Sequence, residues 1–271
     1  MRTGRRGVPE DDDLEGARTG LKTGYGQSKW VAEKLLFEAG KRGLRGHIVR
    51  PGYVVGDSKT AGKRISPLVI NFPADLCLAV TNTDDFIWRL VKGCVQLGLV
   101  PDINNAVNMV PVDHVARCTA LAAVSPLPSA TQTVLHIVAN PPVTFNDLLS
   151  SLAEYGFSTR QCEYLVWRRE LEKHVMEVQD NALFPLLHFV LDDLPTSTKA
   201  PELDDANTTA LLVQSQNPTT TCTVSEELMG LYLAWLVGAG FFPGPDTAGA
   251  RKCLPVLGNG TAMKAAGRSG V

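Results

Sequence analysis

Nowhere in its 271 residues does this chain approach the roughly 20 consecutive apolar residues that a membrane-spanning helix requires. Its six cysteines include no Cys-x-x-Cys pair and its five histidines do not cluster. That leaves no support for a zinc site or a disulfide framework. Free, mostly buried thiols are expected instead, as suits a reducing cytosol. An excess of charge of one sign is also lacking: the net charge is −2, so neither nucleic acid nor an anionic membrane is expected as a partner. Aromatic residues make up only 7% of the chain. The four tryptophans, Trp30, Trp88, Trp167 and Trp235, fall at helical positions and read as core. Residues 1–23 lack a hydrophobic run, which argues against a secretory signal. The basic Arg2, Arg5 and Arg6 and the acidic run from Glu10 to Asp13 read as solvated loop.

What is present is an ordinary globular composition, 44% apolar, in a chain long enough for a sizeable core. Val31, Leu35 and Ala39, flanked by Ala32 and Leu36, give a helical stripe over about 24–39, stopped by Gly40 and Gly43. The short run His47-Ile48-Val49 reads as a buried strand broken by Pro51-Gly52. Asn82 to Asp85 should cap a helix burying Phe86, Ile87, Leu90, Val91, Cys94 and Leu97. Met109 to Val112 reads as a strand, and Asp113 as the cap of a small-residue helix packed on a sheet. Another strand follows at Thr133–Ala139. Thr144 and Asp147 form a capping box ahead of Phe145, Leu148, Leu149 and Leu152. Further on, a strand is expected at Glu163–Val166, helices at Arg168–Val178 and Ala182–Leu191, a long polar loop over Pro195–Thr223, and a last helix from Ser225 to Val237.

The chemically telling pair is Tyr25 and Lys29. Four residues apart on a helix, they lie on one face, one turn from each other. A phenol is ordinarily too weak an acid to release its proton near neutral pH. An ammonium about 4 Å away stabilises the phenolate by roughly 4 kcal/mol at a dielectric of about 20. The same ammonium can bond a ribose hydroxyl. The strand after the helix ends in Arg50-Pro51-Gly52-Tyr53, at the edge where open α/β sheets bind ligands. Asp113 and His114 invite a triad reading, but no Gly-x-Ser-x-Gly elbow accompanies them.

Taken in order, Tyr25-Gly26-Gln27-Ser28-Lys29-Trp30, Arg50-Pro51-Gly52-Tyr53-Val54, Gly56-Asp57-Ser58, Asn82-Thr83-Asp84-Asp85-Phe86 and Asn108 through Ala116 resemble the C-terminal thioester-reductase domain of the fungal α-aminoadipate reductases. That domain is an extended short-chain dehydrogenase/reductase. Leu194-Pro195, Lys199 through Asp205 and Gly230 through Leu233 extend the resemblance over nearly the whole chain. It implies NADPH-dependent reduction of a carrier-bound aminoadipyl thioester to the semialdehyde, in cytoplasmic lysine biosynthesis. Tyr25 and Lys29 would be catalytic. Tyr25, Lys29, Pro51, Gly52, Tyr53 and Val54 would bind the cofactor, with no metal. The partner would be a phosphopantetheinyl carrier domain.

The expected fold is therefore α/β, an incomplete Rossmann-like (extended short-chain dehydrogenase/reductase) fold with a C-terminal mostly helical substrate region. The family's glycine-rich phosphate loop precedes the tyrosine, so Met1 reads as lying inside a longer frame and the isolated chain as an impaired reductase. The expected organisation is a loop leader at 1–23, the C-terminal part of the nucleotide-binding domain at 24–142, a substrate region at 143–245 and a flexible tail at 246–271. Residues 63–80 interrupt the family pattern. Gly62-Lys63 can be encoded by a splice-donor-like sequence and Leu78-Ala79-Val80 can end in an acceptor-like one, which suggests a translated intron there. Two alternatives stand beside the reductase: a catalytically dead fragment or carrier-binding module, and another extended short-chain enzyme such as a sugar-nucleotide epimerase.

Overall fold

The structure, a computed structural model, describes residues 7–21, 23–58, 81–126, 132–178, 181–199, 201–215, 220–246 and 249–257. The expected insertion at 63–80, Cys77 and residues 258–271 of the expected tail lie outside them. The chain divides into two compact units, each discontinuous. The first comprises Met1–Gly52, His114–Asn140 and Pro201–Cys222, and the second Tyr53–Asp113, Pro141–Ala200 and Thr223–Val271.

The first unit is built on helix α1 (Gly24–Lys41) and strand β1 (Gly46–Pro51), which pairs in parallel with β6 (Gln132–Ile137). Thr23 caps α1 by accepting the Gly26 N–H. Beyond the C-cap Arg42, Gly43 turns the chain with φ of 98°. The expected apolar stripe is present but mostly uncovered: Val31 is 49% exposed and Leu35 65%. β1 is half-buried rather than buried, with only Ile48 fully inside. Helix α3 (Val112–Val124) likewise buries just Cys118 and Ala122, so its small residues do not mark tight packing.

Two expectations are corrected in this unit. Glu10 is not solvated but 3% exposed. Its carboxylate accepts the main-chain N–H groups of His136 and Asn207 and the Thr208 hydroxyl. Three donors offset the cost of burying the charge. They also explain the second correction: part of the expected polar loop is a helix, α7 (Ala206–Val213), whose first turn Glu10 holds from the far end of the chain.

Among the described residues the second unit contains three strand pairs: β2 (Tyr53–Val55) with β5 (Met109–Pro111) and β3 (Leu99–Pro101) with β8 (Arg160–Cys162), both parallel, and β4 (Ala106–Val107) with β7 (Val143–Thr144), antiparallel. Around them pack α2 (Phe86–Leu97), α4 (Phe145–Glu154), α5 (Tyr164–Glu177), α6 (Leu187–Ser197) and α8 (Glu226–Gly238). Asp85 caps α2 and Gly98 ends it with φ of 71°. The Thr144–Asp147 capping box forms with both reciprocal bonds. Ser225 caps α8 by accepting the Leu228 N–H.

The core of this unit is aromatic, with Trp88, Trp167, Trp235, Tyr232 and Phe145 all essentially inaccessible. Their polar tips are satisfied. The Trp88 indole N–H donates to Thr81 Oγ1 (2.6 Å), that of Trp167 to the Leu99 carbonyl (3.2 Å), and the Tyr232 hydroxyl to the Gly56 carbonyl (2.6 Å). α4 and α8 meet at Gly230, where a Cβ would stand 2.3 Å from the Tyr155 hydroxyl oxygen.

The strand expected at Glu163–Val166 is instead the start of α5. Trp167, Leu171 and Val175 recur every fourth residue and are buried, and this period overrides the β-branched content at its start. In the expected tail, the Asp246 N–H donates to the Gly156 carbonyl and the Lys252 N–H to that of Glu154. Gly156 has φ of +85°, and a Cβ there would meet the Asp246 carbonyl oxygen at 2.5 Å, so only glycine fits. Among the described residues no helix is long and apolar enough to cross a membrane.

Candidate active site

The Tyr25–Lys29 pair stands on the first turn and a half of α1. The helix places the Lys29 ammonium over the Tyr25 ring, 5.4 Å from its centroid. The ring is 75% exposed, so this is a cation–π contact in water, worth about 0.5–1 kcal/mol. Ser28 donates its hydroxyl to the Tyr25 carbonyl (2.8 Å), and the Gln27 side-chain amide donates to the Leu21 carbonyl (3.0 Å). The turn that carries the phenol is thus fastened while the phenol itself stays open to a ligand.

Pro51 closes β1 and Gly52 follows it. The Gly52 N–H donates to the Ile137 carbonyl (3.0 Å), which fixes this corner against β6. Its donor is therefore spent within the protein. Tyr53 and Val54 open β2 in the second unit, each 39% exposed. The Tyr53 N–H is likewise engaged, with the Asn108 carbonyl (2.7 Å). Burial pushes the Tyr53 phenol above its ordinary range, and the Asp85 carboxylate adds to the shift. Tyr53 is thereby a poorer proton donor than a free tyrosine.

Asp113 is not the cap of α3. It sits inside the first turn, and its carboxylate accepts the Ser58 main-chain N–H and hydroxyl, both at 2.9 Å. His114 turns its Nε2 to within 3.6 Å of Cys118 Sγ. Burial pushes that thiol up to about 11, so it stays protonated and the pair is no nucleophile. Among the described residues Cys94, Cys118, Cys162, Cys222 and Cys253 form no disulfide, and only Cys253 is exposed. No group of three or more metal-ligating side chains occurs among the described residues.

Sequence reasoning missed the charged cluster behind α1. The Arg50 guanidinium binds both Glu33 carboxylate oxygens through Nε (3.0 and 3.2 Å) and again through a terminal nitrogen. It also reaches His136 Nε2 and the Asp12 carbonyl, each at 2.9 Å. No local spacing announces this, because its members come from four separate stretches of chain. Elsewhere, a cavity of ≈ 410 Å³ in the second unit is lined by Asp147, Ser150, Ser151, Glu154, Glu226 and Lys252. Its charges hold the fold: Glu154 pairs with Arg251 and Glu226 with Lys252.

The open phenol and ammonium fit the nicotinamide–ribose end of a nucleotide cofactor. The diphosphate end needs a strand running through glycines into a helix N-terminus. Gly40, Gly43 and Gly46 have the Gly-x-x-Gly-x-x-Gly spacing, but they lead from a helix end into a strand, the reverse order, and form no such cradle.

Parallel strand pairs, crossover helices and a Tyr-x-x-x-Lys helix feeding a strand define an α/β domain of the extended short-chain dehydrogenase/reductase class. The family profile described as "NAD_binding_4: Male sterility protein" matches residues 1–119, a nicotinamide-nucleotide-binding family. The terminal R domain from the myxalamid PKS-NRPS biosynthetic pathway superposes with a TM-score of 0.71 at 31% identity, covering 90% of this chain and 56% of that one. L-2-aminoadipate reductase of Schizosaccharomyces pombe is 45% identical over 98% of this chain, and the large subunit of the Penicillium chrysogenum enzyme 48% identical over 92%. The chain belongs to the family of the fungal L-2-aminoadipate reductases. It spans 18% and 17% of the length of these two relatives.

Proposed function

We propose that this chain carries the reductive chemistry of an L-2-aminoadipate reductase: NADPH-dependent reduction of an aminoadipyl thioester, held on the phosphopantetheine arm of a carrier domain, to the semialdehyde of lysine biosynthesis. NADPH, when bound, supplies the hydride received by the thioester carbonyl carbon. Tyr25 donates its phenolic proton to the carbonyl oxygen as charge develops there. Lys29 stabilises the phenolate left behind and would hold the ribose of the bound nucleotide. Collapse of the resulting hemithioacetal expels the carrier thiol and leaves the aldehyde.

Pro51, Gly52, Tyr53 and Val54 are assigned to the nicotinamide, and residues 143–245 to the acyl and pantetheine side. These cysteine thiols suit a cytoplasmic location. The observation that carries this reading is the Lys29 ammonium held over an exposed Tyr25 ring, in a chain 45–48% identical to named aminoadipate reductases.

The test is NADPH oxidation by the full chain with an aminoadipyl-pantetheine thioester. Tyr25→Phe should lower kcat by about 10²–10⁴-fold. A Phe variant that turns over at the native rate removes Tyr25 from the mechanism. A chain that binds carrier domain yet never oxidises NADPH is a binding module instead.

A further inference from the structure

Helix α1 buries only Gly40 among its 18 residues, so apolar packing cannot set its rotation. Polar contacts do so instead. Around the middle of the helix, the Trp30 indole N–H donates to the Leu14 carbonyl (2.9 Å), and Lys34 pairs with Glu15 (2.9 Å). Farther along, the Gln132 side-chain amide donates to the Leu36 carbonyl (2.6 Å). The most enclosed contact is the Glu33–Arg50 pair, whose side chains are 14% and 15% exposed. Tyr25, Lys29 and Glu33 follow at intervals of four, so the carboxylate gripped by Arg50 continues the helical row that begins with the phenol.

Arg50 is also the residue directly before Pro51-Gly52 and lies opposite His136 in the parallel β1–β6 register. Arginine can only donate, so His136 Nε2 accepts from it. The ring proton is therefore on Nδ1, which donates to the Asp204 carbonyl (2.7 Å). The neighbouring Glu10 accepts the His136 main-chain N–H (2.8 Å). One guanidinium thus ties α1, both strands and the leader through directional bonds, a geometry a lysine ammonium cannot reproduce.

We propose that Arg50 is a positioning residue: through Glu33 and His136 it fixes the rotation and height of α1, and so the place of Tyr25 and Lys29 relative to β1. Its catalytic consequence rests on the reductase reading, whereas its geometric content does not.

Both are tested in the full chain. Arg50→Lys, which keeps the charge but not the fork, should lower kcat about ten-fold or more while KM for the acyl-pantetheine thioester stays within about two-fold. Arg50→Met with Glu33→Met removes both charges together, leaving no orphaned ion. This double variant should melt close to the native chain yet show the same loss in kcat. Native-like melting together with native kcat overturns the proposal. If the unaltered chain does not oxidise NADPH with the thioester, the functional reading fails on its own. The clamp is then judged by amide exchange across Tyr25–Glu33, which should be about ten-fold faster in the double variant. Unchanged exchange overturns it.

Discussion

Helix α1 of the first unit buries one of its 18 residues, whereas α8 of the second buries eight of its 13. The second unit is held by a close-packed aromatic and aliphatic core in which Trp88 and Tyr232 meet edge to face at 5.8 Å. The first is fastened by carboxylates and a guanidinium: Glu10 on three donors, Arg50 on Glu33, His136 and Asp12. Apolar packing is non-directional and tolerates small adjustments, while hydrogen-bonded charges fix one geometry and fail abruptly when a partner is lost. The helix bearing the Tyr–Lys pair sits in the unit of the second kind. Its exposed face is kept in place without being covered.

The largest effect that would sharpen this contrast is Trp88→Ala, which empties the second unit's core. A loss of about 3–5 kcal/mol is expected in urea denaturation, and a loss below about 1 kcal/mol would deny that the aromatic core dominates there. Glu33→Gln leaves the Arg50 charge largely enclosed without its counter-ion, and a loss of about 3 kcal/mol follows. That loss should shrink markedly when Arg50→Met is added, whereas simple additivity of the two would break the comparison. Gly230→Ala drives a methyl into the Tyr155 ring, an overpacking worth about 1–3 kcal/mol in thermal unfolding. Thr144→Ala removes one half of the capping box on an exposed helix end, and only about 1 kcal/mol should be lost.

Where the sequence was legible, the signal was local. The α1 start, the Gly98 stop, the Thr144–Asp147 box and the Ser225 cap all rest on residues within a turn or two of one another, whereas Gly40, read as a stop, lies inside α1. The adjacency of Tyr25 and Lys29 likewise follows from helical spacing alone. α7 was missed because its first turn is satisfied by Glu10, 197 residues away from Asn207. The Arg50 cluster was missed for the same reason. The stripe at Val31 and Leu35 marked an apolar face, yet periodicity records only that the two sides of a helix differ, not that anything lies against the apolar one.

Glu10's reach has a consequence for how the protein is made. Synthesis runs from the N-terminus, so the Glu10 carboxylate must wait for Thr208, 198 positions later, before all its donors exist. At about 5–20 residues per second the ribosome imposes a delay of roughly 10–40 s. The first unit therefore reaches its final form only after Thr208 has been made, and until then its earlier segments lack the partners that hold them.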